Sequence, residues 1–325
     1  MKNLILKTAA ALLALAASTL ALAQADWPNR QINIVVGFSP GGSTDFVARI
    51  IAEEFRKTWG QTVVVENKPG AGGNIGANLV AKAKPDGYTL LMGSVGPLAI
   101  NATLYSNMPY DNIKDFQPIT QVVGAPNMLV VNPASMPAKD FPDFLRLLKA
   151  SPNKYFFAST GIGTSAHLSG ELLKSMTGVE ATHVPYKGAV ALNDLLSGEQ
   201  VHFMFATIPS VIQHVRSGRL RGIAVTTKTR SASSPDLPTI AELGYPDFEA
   251  SSWFGLLGPA GMPREIAMKV QAEVARVIKI PEIREKLVQQ GVDPVGSTPD
   301  EFASYIRAET EKWAKVVRMA GAKAN

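Results

Sequence analysis

The feature that most constrains this chain is a repeated alternation of short apolar runs with stretches of helical periodicity, punctuated by glycine loops. Residues 32–38 are almost wholly apolar and lead into Ser39-Pro40-Gly41-Gly42. Beyond them Phe46, Val47, Ile50, Ile51, Phe55 and Trp59 recur at helical spacing, with Arg49, Glu53, Arg56 and Lys57 on the opposite side. This spacing predicts strand, glycine loop, helix. A strand over 62–66, a helix over 74–83, a turn at Pro85-Asp86-Gly87 and a strand over 88–92 complete a βαβαβ unit. Because parallel neighbours need a crossover connection, such alternation predicts a parallel sheet with helices on both faces.

A second series follows the first. Strands are expected over 128–131, 155–158, 181–184, 201–205 and 222–225, with helices over 142–150, 165–176, 189–196 and 210–216 between them. The tail differs: 264–278, 282–290 and 299–319 read as helices with no strand between them. Asp300 and Glu301 in the first turn after Pro299 mark the start of the last one. A purely helical tail has to cover apolar surface elsewhere. The expectation is that it returns to the first half, so that 24–124 and 251–325 form one discontinuous lobe, 125–250 form the other, and a cleft lies between them. A length of 325 residues fits two such units.

Residues 1–23 stand outside this pattern. Lys2 and Lys7 precede an uncharged Ala/Leu-rich run that ends in Ala21-Leu22-Ala23, the arrangement of a cleavable secretory signal peptide. The mature chain is expected to begin near Gln24 and to reside in the periplasm, and removal of the two lysines lowers the formal charge from +5 to +3. The absence of cysteine excludes disulfide frameworks, thiolate metal sites and a cysteine nucleophile. Weak, unclustered basicity argues against nucleic acid as a partner, and neither a metal nor a cofactor is expected.

In open α/β sheets ligands sit beyond the carboxyl ends of strands, where helix N-termini present free N–H groups. Two loops have that position. In the first, 38–45, the glycines allow close backbone approach, and Ser43, Thr44 or Asp45 is placed to cap the following helix. The second is Ser159-Thr160-Gly161-Ile162-Gly163-Thr164-Ser165. Together they offer hydroxyls and amides without a positive side chain, which suits a small anion such as a carboxylate. His167 stands in the first helical turn after the second loop. Tyr186 or Lys187, Phe205-Ala206-Thr207, and Ser252-Trp253-Phe254 hold strand-end or crossing positions that could reach the cleft, and for Trp253 and Phe254 core packing is preferred. Ser94, Val95 and Gly96 follow another strand and are expected to tune the ligand.

Enzyme motifs are poorly served. Gly161, Gly163 and Ala166 match G-x-G-x-x-A, but Glu180 precedes the next strand instead of ending it, which disfavours dinucleotide binding. Neither a phosphate-binding P-loop nor a G-x-S-x-G elbow is present. Ser165 and His167, two apart on a helix, do not face each other.

The loops, in their order, resemble those of the periplasmic substrate-binding proteins of tripartite tricarboxylate transporters, the Bug family. The resemblance is carried by Trp27-Pro28-Asn29-Arg30, the 38–45 loop, Glu66-Asn67-Lys68-Pro69-Gly70-Ala71-Gly72-Gly73-Asn74 and Pro85-Asp86-Gly87-Tyr88-Thr89-Leu90. It continues through Tyr110-Asp111, Asp115-Phe116, 161–168, Pro185-Tyr186-Lys187-Gly188, Ser217-Gly218-Arg219-Leu220, Pro238-Thr239 and 255–261. It implies an α/β, two-lobed type II periplasmic binding protein with a hinge and an interlobe cleft. It also implies a carboxylate held by Phe38, Gly41, Ser43 and Asp45 from one lobe and Thr160, Thr164, Ser165 and Thr207 from the other. With the positions read from the residues themselves, the candidate site adds Ser39, Gly42, Ser94, Gly163, His167, Tyr186 and Ala206.

One departure bears on the ligand. Many members of the family carry Asp in the segment that reads Phe205-Ala206-Thr207 here, where it could pair with an ammonium group. With Ala206 an ammonium would be buried unpaired, so a plain organic acid is favoured over an amino acid. The expected activity is that of a monomeric receptor without catalysis, which presents its ligand to a cognate membrane permease. The rivals are a ligand-sensing accessory of a signalling system and a secreted hydrolase or isomerase using Asp45 and His167.

Overall fold

The computed structural model describes residues 27–324 except Ala232, so the signal-peptide segment 1–23 lies outside the described residues. The chain forms two sheets with helices packed on their faces. β1 (Ile32–Val36), α1 (Ser43–Trp59), β2 (Val63–Asn67), α2 (Asn74–Ala81) and β3 (Thr89–Ser94) make the expected βαβαβ unit. β1 pairs in parallel with both β2 and β3. After a π turn over Gly96–Ile100 and the short α3 (Asn101–Leu104), β4 (Phe116–Ala125) carries the chain to the second sheet.

That sheet holds β5 (Asn127–Val131), β6 (Phe156–Ser159), β7 (Thr182–Pro185), β8 (Phe203–Thr207) and β9 (Arg221–Val225). Between them lie α4 (Phe141–Ala150), α5 (Ser165–Thr177), α6 (Val190–Ser197) and α7 (Ile208–Arg216). The chain then returns through β10 (Ser252–Pro259), α8 (Arg264–Val277), α9 (Pro281–Gln289), β11 (Asp293–Pro294) and α10 (Pro299–Met319). The strand orders are β11-β4-β10-β3-β1-β2 and β7-β6-β8-β5-β9.

Both sheets are mixed, which corrects the expectation of parallel sheets. The strands that break the parallel pattern are those at the two crossings. β4 passes into β5 across Pro126 alone, and β5 then lies antiparallel to β8 and β9. β10, re-entering from the second sheet, inserts between β3 and β4 antiparallel to both. The tail, expected to be free of strands, contains a short one, β11, which pairs with β4; two residues leave no periodicity to read.

Period-two alternation along β1 splits the first sheet's core. Ile32, Ile34 and Val36 pack with Val47, Ile51 and Phe55 of α1 and with Ile266, Val270 and Val274 of α8. Val35 and Leu91 face the opposite side, in a cluster that includes Val80 of α2 and Phe302, Ile306 and Trp313 of α10. The helical tail therefore covers both faces of the first sheet, and each fully buried side chain of this size contributes about 1.5–3 kcal/mol. α10 starts from a full capping box, with Thr298 accepting from Glu301 N–H and the Glu301 carboxylate accepting from Thr298 N–H. Among the described residues no helix is long and apolar enough to cross a membrane.

Candidate ligand site

The first loop is shaped by its glycines and braced from behind. Gly41 has φ +84°, a conformation that glycine adopts without penalty. Its N–H donates to Asp45 Oδ2 at 2.9 Å, and the same oxygen accepts from Arg49 Nε at 2.9 Å. Asn67 Nδ2 donates to Asp45 Oδ1 at 3.0 Å and to the Phe38 carbonyl at 2.9 Å. Burial pushes the Asp45 carboxyl up, but the bonds from Arg49, Gly41 and Asn67 outweigh it and hold the group below the usual carboxylate range. None of Ser43, Thr44 or Asp45 caps α1: the N-cap is Gly42, without a side-chain bond. Its first-turn amides therefore remain available to a ligand.

The second loop closes on itself. Thr164 caps α5 by accepting from His167 N–H at 3.3 Å, and its hydroxyl donates to the Gly161 carbonyl at 2.8 Å. Ser165 Oγ donates to Asn127 Oδ1 at 3.4 Å, while Asn127 Nδ2 donates to the Ala250 carbonyl at 2.6 Å. At the end of β8, Thr207 starts α7 without a side-chain cap. Three helix N-termini thus open on one space.

That space is a cavity of about 110 Å³ between the two sheets. Phe38, Ser39, Gly41, Gly42, Ser43 and Ser94 line it from the first sheet's side. Thr160, Thr164, Ser165, Ala206 and Thr207 line it from the second. No charged side chain lines it among the described residues. Ser94 is 3% exposed and its Oγ has no hydrogen-bond partner among the described residues. A buried hydroxyl left unpaired costs about 1–3 kcal/mol, so Ser94, on the cavity wall, has a hydrogen bond left to make.

A family model described as "Tripartite tricarboxylate transporter family receptor" matches residues 47–322. The chain belongs to the tripartite tricarboxylate transporter receptor family. Over 299 residues it is 40% identical to Protein BugT of Bordetella pertussis, an alignment that covers 91% of each chain. An R. palustris protein solved with adipate is 38% identical, with a TM-score of 0.88 over 91% of this chain and 99% of that one. MatC from Rhodopseudomonas palustris, solved with bound malate, is 33% identical, with a TM-score of 0.84 over 90% and 100% of the two chains. The architecture is that of the periplasmic binding protein BugD, 36% identical, with a TM-score of 0.87 over 92% of this chain and 100% of that one.

In this receptor four candidate residues lie outside the cavity lining, each for a visible reason. Asp45 is engaged behind the loop by Arg49 and Asn67. Gly163, at φ +81°, sits against α3: a Cβ there would fall 2.0 Å from Asn101 Oδ1. His167 stacks on His183 of β7 with ring centroids 4.2 Å apart, and its Nδ1 accepts from Gly163 N–H at 3.4 Å. Burial, with Lys174 as a smaller cause, pushes the His167 imidazole down to about 4. The Tyr186 hydroxyl bonds Asp194. Among the described residues no group of three or more His, Asp or Glu is placed to hold a metal.

The receptor cavity also has walls that sequence reasoning did not single out: Asn127 and Ser210 add polar atoms, and Leu192, Met204 and Val211 form an apolar side. Ser252, placed by the sequence at a crossing position, lines it as well. Phe254 lines the cavity, whereas Trp253, its neighbour on β10, faces the core and donates from Nε1 to Glu309 Oε2 at 3.0 Å. Strand alternation makes that division.

Proposed function

We propose that this family member is a periplasmic solute receptor that encloses a small organic carboxylate without an amino group between two lobes and presents it to a membrane permease. The observation that carries the reading is the cavity's chemistry: hydroxyls, glycine amides and helix N-termini, with, among the described residues, no charged side chain in the lining and no partner for the Ser94 hydroxyl on its wall. Such a set stabilises one carboxylate through neutral donors and helix dipoles. An ammonium group would find no counter-charge beside Ala206. The two crossings, at Pro126 and over 226–251, would serve as the hinge on which the lobes 24–124 with 251–325 and 125–250 close. Relatives solved with adipate and malate support the ligand class. The leader, cleaved near Gln24, would deliver the protein as a monomer to the periplasm.

A thermal-shift panel of refolded protein tests this reading. A ligand at ~100 times its Kd adds about 2.7 kcal/mol, a midpoint shift of a few degrees for a chain of this size. Shifts with malate, succinate or adipate and none with aspartate or glutamate are expected, and Ser94→Ala should weaken the best ligand about tenfold. Stabilisation by amino acids would overturn the Ala206 argument, and no shift across the panel would overturn the receptor reading.

A further inference from the structure

We propose that Asn101 sets the cost of closing the two lobes: its side-chain oxygen is hydrated when they part and loses that hydration, with nothing in return, when they meet. The inference rests on the receptor reading and goes beyond it, because it concerns a residue outside the ligand cavity.

Asn101 opens α3, directly after the π turn that follows β3. Its amide is oriented from within its own lobe. Nδ2 donates to Asn74 Oδ1 at 2.6 Å and to the Gly72 carbonyl at 3.4 Å, and Asn74 Oδ1 also accepts from the Tyr110 hydroxyl at 2.8 Å. Both neighbours of Nδ2 are acceptors, so the oxygen points the other way, toward the second loop. There it faces Gly163, where a Cβ would collide with it. Asn101 is fully buried, and its Oδ1 has no hydrogen-bond partner among the described residues. A Cα–H of Gly163 is what meets it, a much weaker contact than the hydrogen bond that water makes.

The lobes meet too closely here for water to remain. A Cβ at Gly72 would collide with the Ile162 carbonyl oxygen, and one at Gly96 would fall 2.9 Å from that of Gly163. Gly72 and Gly96 belong to 24–124, Ile162 and Gly163 to 125–250, so backbone packs on backbone across the boundary. Asn101 is not among the residues that line the ligand cavity, so a ligand there cannot supply the missing bond. Ser94 is the contrasting case: its free hydroxyl is on the cavity wall, where a ligand can pair with it. One unpaired group therefore rewards a ligand that reaches it, while the other opposes closure whatever the ligand. A buried polar atom left unpaired carries its whole desolvation penalty, and the bound ligand has to overcome it. The lobes then stay apart until a ligand draws them together.

Calorimetry with malate, succinate and adipate, beside pulsed electron paramagnetic resonance on the ligand-free protein, tests this. The chain has no cysteine, so Ile75→Cys on α2 and Val190→Cys on α6, both exposed positions, carry the only spin labels, one on each lobe. Asn101→Ala is expected to bind every acid that the unsubstituted protein binds about tenfold more tightly, by the same factor for each. It should also shift the ligand-free distances toward those of the ligand-bound protein. Asn101→Leu, which keeps the branched shape of the amide without its polar atoms, should act in the same direction. Gly163→Ala, whose methyl group meets Oδ1, should weaken binding and shift the distances the opposite way. A purely structural Asn101 would give weaker or unchanged binding in both Asn101 variants; that result would overturn the proposal, as would a gain confined to one ligand. If none of the three acids binds the unsubstituted protein, the receptor reading falls and the ligand-free distances alone decide. Equal distributions in the unsubstituted protein and both Asn101 variants would then sink the closure cost as well, whereas a shift opposite to that of Gly163→Ala would uphold it.

Discussion

Ser43 Oγ and Thr207 Oγ1 stand 2.6 Å apart, although the first belongs to α1 on one sheet and the second closes β8 of the other. Ser210 completes the triangle, 2.8 Å from Ser43 Oγ and 3.1 Å from Thr207 Oγ1. All three hydroxyls line the cavity. They join the two halves of the site directly and set its width. A double-mutant cycle of Ser43→Ala and Thr207→Ala, read from ligand affinity, should give a coupling energy of about 1 kcal/mol. Additive losses would mean that the two side chains do not meet in the bound state.

The histidine stack behind the second loop makes stability depend on pH. His183 Nε2 and Ser159 Oγ are 2.7 Å apart, and that hydroxyl also accepts from Gly161 N–H at 3.2 Å, so the loop rests on the stack. Burial, then His167 and Lys174, pushes the His183 imidazole down to about 3. His167 lies at about 4. Unfolded histidines take up protons near pH 6.5, before the folded pair does, so the stabilisation is complete above that pH and is lost as pH falls toward 4. Carboxylates held below their usual range, such as Asp45, lose their contribution only at still lower pH. Urea unfolding at pH 7.5 and 5.0 should show a fall of about 2 kcal/mol from each histidine, about 4 kcal/mol from the pair. His183→Gln should be less stable at pH 7.5 yet flatter across the window; an unchanged slope would place the titration elsewhere.

The extent to which this architecture is legible in the sequence follows from what interrupts periodicity. α1 and α10 keep an unbroken apolar stripe, and their observed limits, Ser43–Trp59 and Pro299–Met319, follow the pattern closely. β4 and β10 give no strand signal. Pro118 and Gly124 break one apolar run, Gly255 and Gly258 the other, and every residue of β10 is buried, which removes alternation. The loop hydroxyls are readable because glycine loops before helices mark helix N-termini. Asn127, Met204 and Ser210 are not, because their facing depends on how the two sheets meet. Nor does any local signal disclose that the His167 ring turns to His183, or that the Tyr186 hydroxyl reaches Asp194 one helix further along.

Asp45 offers the sharpest test of positioning against chemistry. Its carboxylate gathers Gly41 N–H, Arg49 Nε and Asn67 Nδ2, and thereby fixes the loop that supplies Ser39, Gly42 and Ser43 to the cavity. Asp45→Asn keeps the shape but turns an amide NH2 toward one of three donors. The Arg49 side chain is 53% exposed, so its pairing alone is worth little after screening. The larger loss is the buried donor left unpaired, about 1–2 kcal/mol. Ligand affinity should fall several-fold as the loop loosens, with no turnover of ligand in either protein. Adding Asn67→Asp to this variant returns a carboxylate beside Arg49, whose Nη2 already lies 3.3 Å from Asn67 Oδ1, and gives the amide introduced at position 45 an acceptor. Recovery of most of the affinity in the double variant would assign Asp45 a positioning role. Unaltered binding in Asp45→Asn, together with detectable turnover in the unsubstituted protein that the substitution abolishes, would instead make Asp45 a reacting group.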